Sequence, residues 1–279
     1  MLPPIADNFV AGEDAETAIE HVRTYNTDGI VGILNLLGEH YERRAPADAD
    51  ARAYRDLIRA IDGAGVDCCI SVKPSQIGLD VGEDAFEENL ASIVETGQEH
   101  DCFVWIDMED HTTTDATLDA FETHANATDG DVGVCVQANL KRTSEDLERL
   151  ATLPGKVRLV KGAYDEPKSV AYKGKSAINE AYRDLLEGAF ESFESGVAVG
   201  SHDPEMISLA ADLHDEYGTD YEIQMLMGVR EQAQRELAAQ GVPTYQYIPY
   251  GDKWFSYFYR RIREQKSNAL FALRAVLGN

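Results

Sequence analysis

Eight short apolar segments recur along the 279-residue chain, and each is followed by a segment in which apolar residues repeat at helical spacing. The apolar segments span residues 29–37, 67–73, 102–109, 131–137, 156–162, 196–201, 221–226 and 242–249. The helical patterns span residues 51–64, 83–100, 114–127, 143–152, 175–194, 204–217, 229–240 and 253–276. Strands that alternate with helices are typical of parallel sheets, because a crossover helix returns the chain to the starting edge. The pattern therefore predicts eight parallel strands.

A closed barrel and an open, doubly wound sheet are both compatible with this alternation, and two observations favour the barrel. The chain is slightly longer than the roughly 250 residues typical of a (β/α)8 barrel. A nucleotide-binding open sheet carries a glycine-rich turn after its first strand, whereas this chain has LLGEHYERR there. We predict an α/β protein with a single, distorted (β/α)8 barrel domain over residues 1–279, in which 1–28 are an entry segment and 29–279 the barrel. Residues 12–26 are expected to form a helix that covers the N-terminal mouth.

The composition is strongly acidic, with 50 Asp and Glu against 25 Lys and Arg, a net charge of −25 and 44% hydrophobic residues. Such a surface repels nucleic acid and anionic membranes, and it is typical of proteins adapted to high salt. Four cysteines without metal-ligand spacing predict buried, reduced thiols and no metal site. The first residues lack a basic, apolar leader pattern, and no apolar run approaches 18 residues. We expect a cytoplasmic protein with at most peripheral membrane contact.

Polar residues are concentrated at the ends of the predicted strands, where the active site of a (β/α)8 barrel lies. They are Lys73, Asp107, Glu109, Gln137, Arg158, Lys161, Ser201, His202, Gln224, Tyr245 and Tyr247. Alternation along a strand directs Lys73, Asp107 and Gln137 into the barrel together with Ser71, Trp105 and Cys135, and leaves Val72, Ile106 and Val136 facing the helices. The same alternation places Arg158 and Lys161 on opposite faces.

The final helical pattern carries a charged stripe of Tyr257, Arg260, Arg261 and Glu264 at positions i, i+3, i+4 and i+7. With this helix at the mouth of the barrel, two adjacent guanidiniums are suited to bind a carboxylate or a phosphate. An exposed pair of Arg260 with Glu264, with Arg261 in solvent, is the alternative that the pattern leaves open.

Several strand-end residues admit more than one interpretation. Lys161 is a candidate for a Schiff base, and His202 is a weak candidate for zinc because no partner follows at ligand spacing. Gly162 and Gly200 either end their strands or permit close approach of a cofactor. Asp107 is alternatively the N-cap of the next helix.

The motifs resemble the proline dehydrogenase family, from about residue 8 to residue 272. The matching segments are FVAGED at 9–14, LLGE at 36–39, ISVKPS at 70–75, IDMED at 106–110, VQANLKR at 136–142, VRLVKGAYDE at 157–166, QMLMGV at 224–229 and YIPYGDKWFSYFYRRIRE at 247–264. The two longest segments rarely occur together by chance.

This resemblance implies a barrel enzyme that binds FAD non-covalently and oxidises L-proline to Δ1-pyrroline-5-carboxylate, by hydride transfer from C5 to the flavin N5, with a quinone as electron acceptor. It assigns the proline carboxylate to Lys73, Arg260 and Arg261, and the shape of the ring pocket to Tyr164, Tyr247 and Tyr257. Arg158 is expected at the flavin N5, Asp107 as a carboxylate that orients the cluster, and Glu39 as a gate that pairs with Arg260. The residues expected to contact FAD are Gln137, Arg158, Lys161, Gly162, Ala163, Ser201, His202, Gln224, Arg261 and Glu264.

The chain departs from the family pattern after the sixth strand, where Gly200, Ser201, His202 and Asp203 replace Ala-Thr-His-Asn. Asp203 is suited to cap the next helix but is unfavourable near a phosphate. Three other interpretations remain: a flavin barrel of the methylenetetrahydrofolate reductase type, a Schiff-base aldolase that uses Lys161, and a barrel subunit without catalytic function. The residues do not indicate the oligomeric state.

Overall fold

A computed structural model describes residues 8–254 and contains a closed barrel of eight parallel strands in the order of the sequence. The strands are β1 (Ile30–Leu36), β2 (Cys68–Val72), β3 (Val104–Ile106), β4 (Val132–Gln137), β5 (Lys156–Val160), β6 (Val197–Gly200), β7 (Tyr221–Leu226) and β8 (Thr244–Tyr250). Pairing of β1 with β8 over seven residues closes the barrel. The predicted (β/α)8 barrel is confirmed. Seven strands lie within their predicted apolar segments, and β8 extends one residue beyond its segment, to Tyr250.

Helices alternate with these strands on the outside of the barrel. They are α1 (Ala15–Asn26), α2 (Arg44–Ala64), α3 (Glu83–Glu99), α4 (Thr114–Thr128), α5 (Thr143–Leu150), α6 (Lys175–Ser192), α7 (Pro204–Tyr217) and α8 (Glu231–Ala239). Local sequence sets several boundaries: Asp14 caps α1 by accepting from the Thr17 N–H, and Gly218 ends α7 in the left-handed conformation.

Helix α1 belongs to the outer ring, and the expectation that it covers the N-terminal mouth is wrong. It packs on the outward face of β1, where Val22 lies so close to Gly32 that a Cβ on that glycine would be 2.6 Å from a Val22 methyl. His21 hydrogen-bonds Gln246 of β8 over 2.8 Å, and Asp28, just past the helix, pairs with Arg235 of α8. The helix therefore fills the groove between α2 and α8, where its apolar stripe of Ala18, Ile19, Val22 and Tyr25 is buried.

The barrel wall separates two groups of buried residues. Outward-facing side chains such as Val72, Ile106 and Val136 join the helices in the main core, as the alternation predicts. Inside the barrel, a second cluster contains Ile33, Cys69, Trp105 and Ala198, with Phe103, Tyr245 and Tyr247 packed against it. The interior is thus filled by side chains.

The cysteines are free thiols, of which three are buried and Cys68 is half-buried. Burial raises the pKa of the Cys102 thiol to about 12. Within residues 8–254, no helix has both the length and the apolar character needed to cross a membrane.

Candidate active site

The centre of the site is Arg158, whose side chain lies inside the barrel toward the C-terminal ends of the strands. Its guanidinium donates to Gln224 Oε1 over 2.9 Å and to Ser71 Oγ over 3.3 Å. It also forms an ion pair with Asp107. Only 4% of the Arg158 side chain and 13% of the Asp107 side chain are exposed. Strands β2, β3, β5 and β7 thus converge on one buried cation.

Asp107 is the counter-ion of this cation, and it also accepts a hydrogen bond from the Tyr247 hydroxyl over 2.7 Å. The interpretation of Asp107 as a helix cap is wrong, because α4 begins only at Thr114. Burial, and then the charge of Asp107, raises the pKa of Tyr247 well above its usual range, so this hydroxyl remains a donor. The rings of Trp105 and Tyr247 lie 4.8 and 5.6 Å from the guanidinium carbon.

Lys73 stands beside this cluster at the end of β2, and its Nζ donates to Asn35 Oδ1 over 3.1 Å. Asn35 is buried in β1 and is itself held, because its Nδ2 donates to the Ser71 carbonyl over 2.8 Å and to the Tyr54 hydroxyl over 3.2 Å. Sequence reasoning missed Asn35. The available signal was a single amide at an inward position of the otherwise apolar run that follows Ile33.

Glu109 forms a second buried carboxylate next to the centre. It accepts from the Ser75 N–H over 2.7 Å and from Ser75 Oγ over 2.8 Å, and the Tyr164 hydroxyl lies 3.5 Å from it. Burial raises the pKa of Glu109, although Ser75 and Lys73 oppose this shift. Glu109 therefore anchors Tyr164, one of the predicted pocket residues, to the end of β3.

Gln137 links the ends of three strands. Its Nε2 donates to the Glu109 carbonyl over 2.5 Å, and its Oε1 accepts from the Ala163 N–H over 3.3 Å. Gly162, which precedes Ala163, has a φ of +103° and leaves no room for a Cβ beside the Asn139 side chain. This close approach is the physical reason for glycine at position 162.

Lys161 lies on the outer side of the end of β5, opposite in parity to Arg158, and pairs with Asp203 over 2.9 Å. An ion-paired ammonium is not the neutral amine that Schiff-base chemistry needs. Asp203 caps α7 by accepting from the Glu205 N–H. Burial would raise the pKa of Asp203, but the hydrogen bond and charge of Lys161 outweigh it and the pKa is lowered.

His202 and Ser201 shape the turn between β6 and α7. His202 Nε2 accepts from the Leu226 N–H over 3.3 Å, and the His202 carbonyl accepts from Arg230 over 2.5 Å. Ser201 Oγ accepts from the Asp203 N–H over 3.1 Å. In the part of the chain that the structure describes, no group of three or more His, Cys, Asp or Glu residues is arranged to hold a metal ion.

Glu39 lies in the loop after β1, next to His40, which has a φ of +59°. His40 is fixed by its N–H to Ser75 Oγ over 3.1 Å and by its ring to Asp80 over 2.9 Å. Glu39 is thus at the same end of the barrel as the Arg158 cluster. Its predicted partner Arg260, together with Tyr257, Arg261, Glu264 and nearly all of the predicted final helix, lies outside the described residues.

Those residues assigned to FAD that lie within 8–254 form an arc at the ends of β4 to β7, and two observations fit a polar cofactor there. Asn139 Oδ1 is buried beside Gly162 and has no hydrogen-bond partner among residues 8–254. Gly200 leaves open the space between Arg158 and Gln224, since a Cβ there would meet Val160 at 2.6 Å and the Arg158 stem at 3.4 Å. The arc thus offers a buried acceptor, a forked cation and close access to the backbone.

A parallel barrel with a desolvated ion pair and convergent polar groups at the C-terminal ends of its strands has the organisation of a (β/α)8-barrel enzyme. A family model described as "Proline dehydrogenase" matches residues 18–274. "Proline dehydrogenase" of Deinococcus radiodurans is 38% identical, with 98% of this chain and 90% of that protein covered. "Proline dehydrogenase 1" of Bacillus subtilis strain 168 is 34% identical over the same shares. The chain belongs to the proline dehydrogenase family.

Solved structures with the same fold include proline utilization A from Bdellovibrio bacteriovorus, with a TM-score of 0.84 and 21% identity over 92% of this chain. Proline utilization A from Corynebacterium freiburgense gives a TM-score of 0.78 and 21% identity over 95% of this chain. The chain covers only 32% and 31% of the lengths of those two proteins.

Proposed function

We propose that this chain is an FAD-dependent enzyme that oxidises L-proline to Δ1-pyrroline-5-carboxylate, the first step of proline catabolism, and passes the electrons to a quinone. The observation that carries the proposal is the buried Arg158, held by Asp107 and Gln224 at the barrel mouth of a proline dehydrogenase family member. When bound, FAD supplies the redox chemistry by accepting a hydride from C5 of proline. The protein supplies orientation and electrostatics.

On the substrate side, Lys73 is proposed to bind the proline carboxylate, and Asn35 aims its ammonium. Fixing the carboxylate at one end of the ring holds C5 at the other end at a defined distance from the cofactor. Arg260 and Arg261 are proposed to share this role, Tyr164, Tyr247 and Tyr257 to enclose the ring, and Glu39 to gate the entrance. Nearby cations also lower the pKa of the substrate ammonium, which favours the neutral amine that releases a hydride more easily.

On the cofactor side, Arg158 is proposed to face the flavin N5, where the anchors provided by Asp107 and Gln224 fix its direction. The remaining contacts are proposed for Gln137, Lys161, Gly162, Ala163, Ser201, His202, Gln224, Arg261 and Glu264. Arg158 supplies a cation where negative charge develops, in a buried site where the rings of Trp105 and Tyr247 lie against the guanidinium. Asp203 is the one acidic departure in this arc, and Lys161 neutralises it.

The test is an anaerobic titration of the purified protein with L-proline, followed by the absorbance of the flavin. We expect a yellow protein whose flavin absorbance bleaches when proline is added. The titration is made at high salt, because we propose that the acidic surface is adapted to screening ions. Bleaching by NAD(P)H but not by proline would instead support an enzyme of the methylenetetrahydrofolate reductase type. A protein without flavin absorbance, even after reconstitution with FAD, would contradict the proposal and favour a non-catalytic subunit.

A further inference from the structure

Strands β5 and β7 each carry two polar residues on their inward faces, and these residues form one connected chain. On β5 they are Lys156 and Arg158, and on β7 they are Glu222 and Gln224. Lys156 Nζ contacts Glu222 Oε2 at 2.6 Å, Gln224 Nε2 donates to Glu222 Oε1 over 2.7 Å, and Arg158 donates to Gln224 Oε1 over 2.9 Å. The chain therefore runs from the N-terminal end of the barrel to the guanidinium at the active site.

The link that matters is the orientation of the Gln224 amide. A guanidinium has donors only, so it needs the oxygen of this amide and not its NH2 group. A carboxylate has acceptors only, so Glu222 needs the NH2 group. Because Glu222 takes the nitrogen, the oxygen of Gln224 must face Arg158. Glu222 selects the one amide orientation that Arg158 can use.

Strand β6 separates β5 from β7, and its inward residues are small enough for these side chains to meet across it. Ala198 pairs with Arg158 on one side and with Glu222 on the other. Gly200, one layer higher, pairs with Gln224. Larger side chains at positions 198 and 200 would occupy the space through which the chain of contacts passes.

We propose that Glu222 is a positioning residue for Arg158, acting through Gln224 to direct the guanidinium toward the cofactor and substrate. Glu222 lies two residues below Gln224 on the strand and contacts Arg158 only through that amide. This inference rests on the proposed function, in that Arg158 serves the oxidation of proline.

Three variants test the orientation directly. In Glu222→Gln, the oxygen of the new amide pairs with Lys156, its NH2 group faces Gln224, and the Gln224 amide must turn its own NH2 group toward Arg158. In Lys156→Met, Glu222 remains an acceptor and the Gln224 amide keeps its orientation. In the double variant Lys156→Met/Glu222→Gln, the new glutamine is free to present its oxygen to Gln224, and the Gln224 amide returns to its original orientation.

We expect Glu222→Gln to lower kcat roughly tenfold, as is typical when a residue that orients an active-site group is lost, and to lower the midpoint potential of the bound flavin. Lys156→Met and the double variant should stay within about twofold of wild-type kcat. Thermal unfolding should rank the variants differently, because Lys156→Met leaves a buried carboxylate unpaired and should be the least stable. A purely structural role would make kcat follow stability, so that Lys156→Met would have the lowest kcat of the three.

A second measurement keeps the inference separate from the proposed function. In flavin-free protein labelled with 15N-glutamine, the side-chain NH2 resonances of Gln224, assigned with Gln224→Leu, should shift in Glu222→Gln and return in the double variant. If the wild-type protein fails to oxidise proline but the Gln224 resonances shift in Glu222→Gln and return in the double variant, only the proposed function fails. The inference would be overturned if Glu222→Gln kept the Gln224 resonances and the kcat of the wild type. It would also be overturned if the kcat of the double variant were no higher than that of Glu222→Gln.

Discussion

The upper and lower parts of the barrel interior hold ion pairs built on the same strand, and their surroundings differ. The upper pair, Arg158 with Asp107, is almost fully dry. In the lower pair, 34% of the Lys156 side chain is exposed while Glu222 is 7% exposed, and the ammonium lies over the rings of Phe103 and Tyr245 at 5.3 and 5.7 Å. A dry, forked cation interacts strongly with a ligand, and this agrees with the recognition role that we propose for the upper charge. The lower charge compensates a carboxylate.

Removing the upper cation should have the largest effect on activity. We expect Arg158→Met to lower kcat/KM for proline roughly a hundredfold to a thousandfold, since one preorganised electrostatic contact is lost in a dry site. Steady-state kinetics with an artificial electron acceptor measure this loss. A decrease of less than tenfold would contradict the central role of Arg158.

Arg158→Lys is the matched control for that change, because it keeps the positive charge and removes the planar fork. A single ammonium cannot hold Asp107, Gln224 and Ser71 in the directions that the guanidinium does. We expect an intermediate activity. Full activity in this variant would mean that charge alone, and not geometry, defines the upper pair.

Removing the upper carboxylate should cost less activity and more stability. In Asp107→Asn, a guanidinium that cannot lose its proton remains buried without a counter-ion, so we expect the free energy of unfolding to fall by about 3 kcal/mol. Activity should fall about tenfold to a hundredfold because Arg158 loses its anchor. Urea unfolding and kinetics separate the two effects. In the lower pair, the corresponding carboxylate change, Glu222→Gln, leaves an ammonium that reaches solvent and should destabilise the fold less.

The neighbouring cation Lys73 should affect binding more than turnover. We expect Lys73→Gln to raise the KM for proline roughly tenfold, the loss typical of one charge-assisted hydrogen bond, with a smaller change in kcat. Asn35→Ala is the control, because it keeps the ammonium and removes the acceptor that aims it, together with the amide donor to the Ser71 carbonyl and the Tyr54 hydroxyl. Its KM should rise a few-fold at most. If Asn35→Ala were as severe as Lys73→Gln, the role of Lys73 would be structural.

The sequence predicts those parts of the fold and of the site that depend on a repeating pattern of residues along the chain. Two-residue alternation identified the inward and outward faces, so it correctly separated Arg158 from Lys161 and Val72 from Ser71. The number of strand segments predicted the closed barrel. The third strand is shorter than the predicted segment and covers Val104–Ile106. Asp107, directly after it, pairs with Arg158 of β5, a contact between distant strands that no local pattern encodes.

The parts that were missed depend on contacts across the barrel. The role of Asn35 appears only when the end of β2 brings Lys73 beside it. Glu222 and Gln224 lie on the same strand, and their role appears only when Lys156 and Arg158 of β5 contact them inside the closed barrel. The position of α1 was also missed, because an apolar stripe predicts burial but not which surface provides it. The charged stripe beyond residue 254 stays a prediction.

The smallest expected effect concerns a third pair on the same segment of chain, Lys161 with Asp203, which lies outside the barrel with 32% and 20% of the side chains exposed. Asp203→Asn keeps an oxygen that can cap α7 and removes the charge. We expect the free energy of unfolding at pH 7 to fall by about 0.5–1 kcal/mol. If FAD binds as proposed, the loss of an acid from the cofactor arc and the release of Lys161 should also tighten its binding.

The pH dependence distinguishes this ion pair from the cap. The folded-state pKa of Asp203 lies below its ordinary value of 3.8, so the folded protein binds fewer protons there than the unfolded chain. The stability from the pair is therefore present above about pH 4 and is lost as the pH falls through the lowered pKa. Urea unfolding of wild type and Asp203→Asn should differ at pH 7 and converge toward pH 3. A difference in the free energy of unfolding that is independent of pH would show that Asp203 stabilises the protein as a helix cap. Of the three pairs, charge would then contribute to stability only in the two ion pairs inside the barrel.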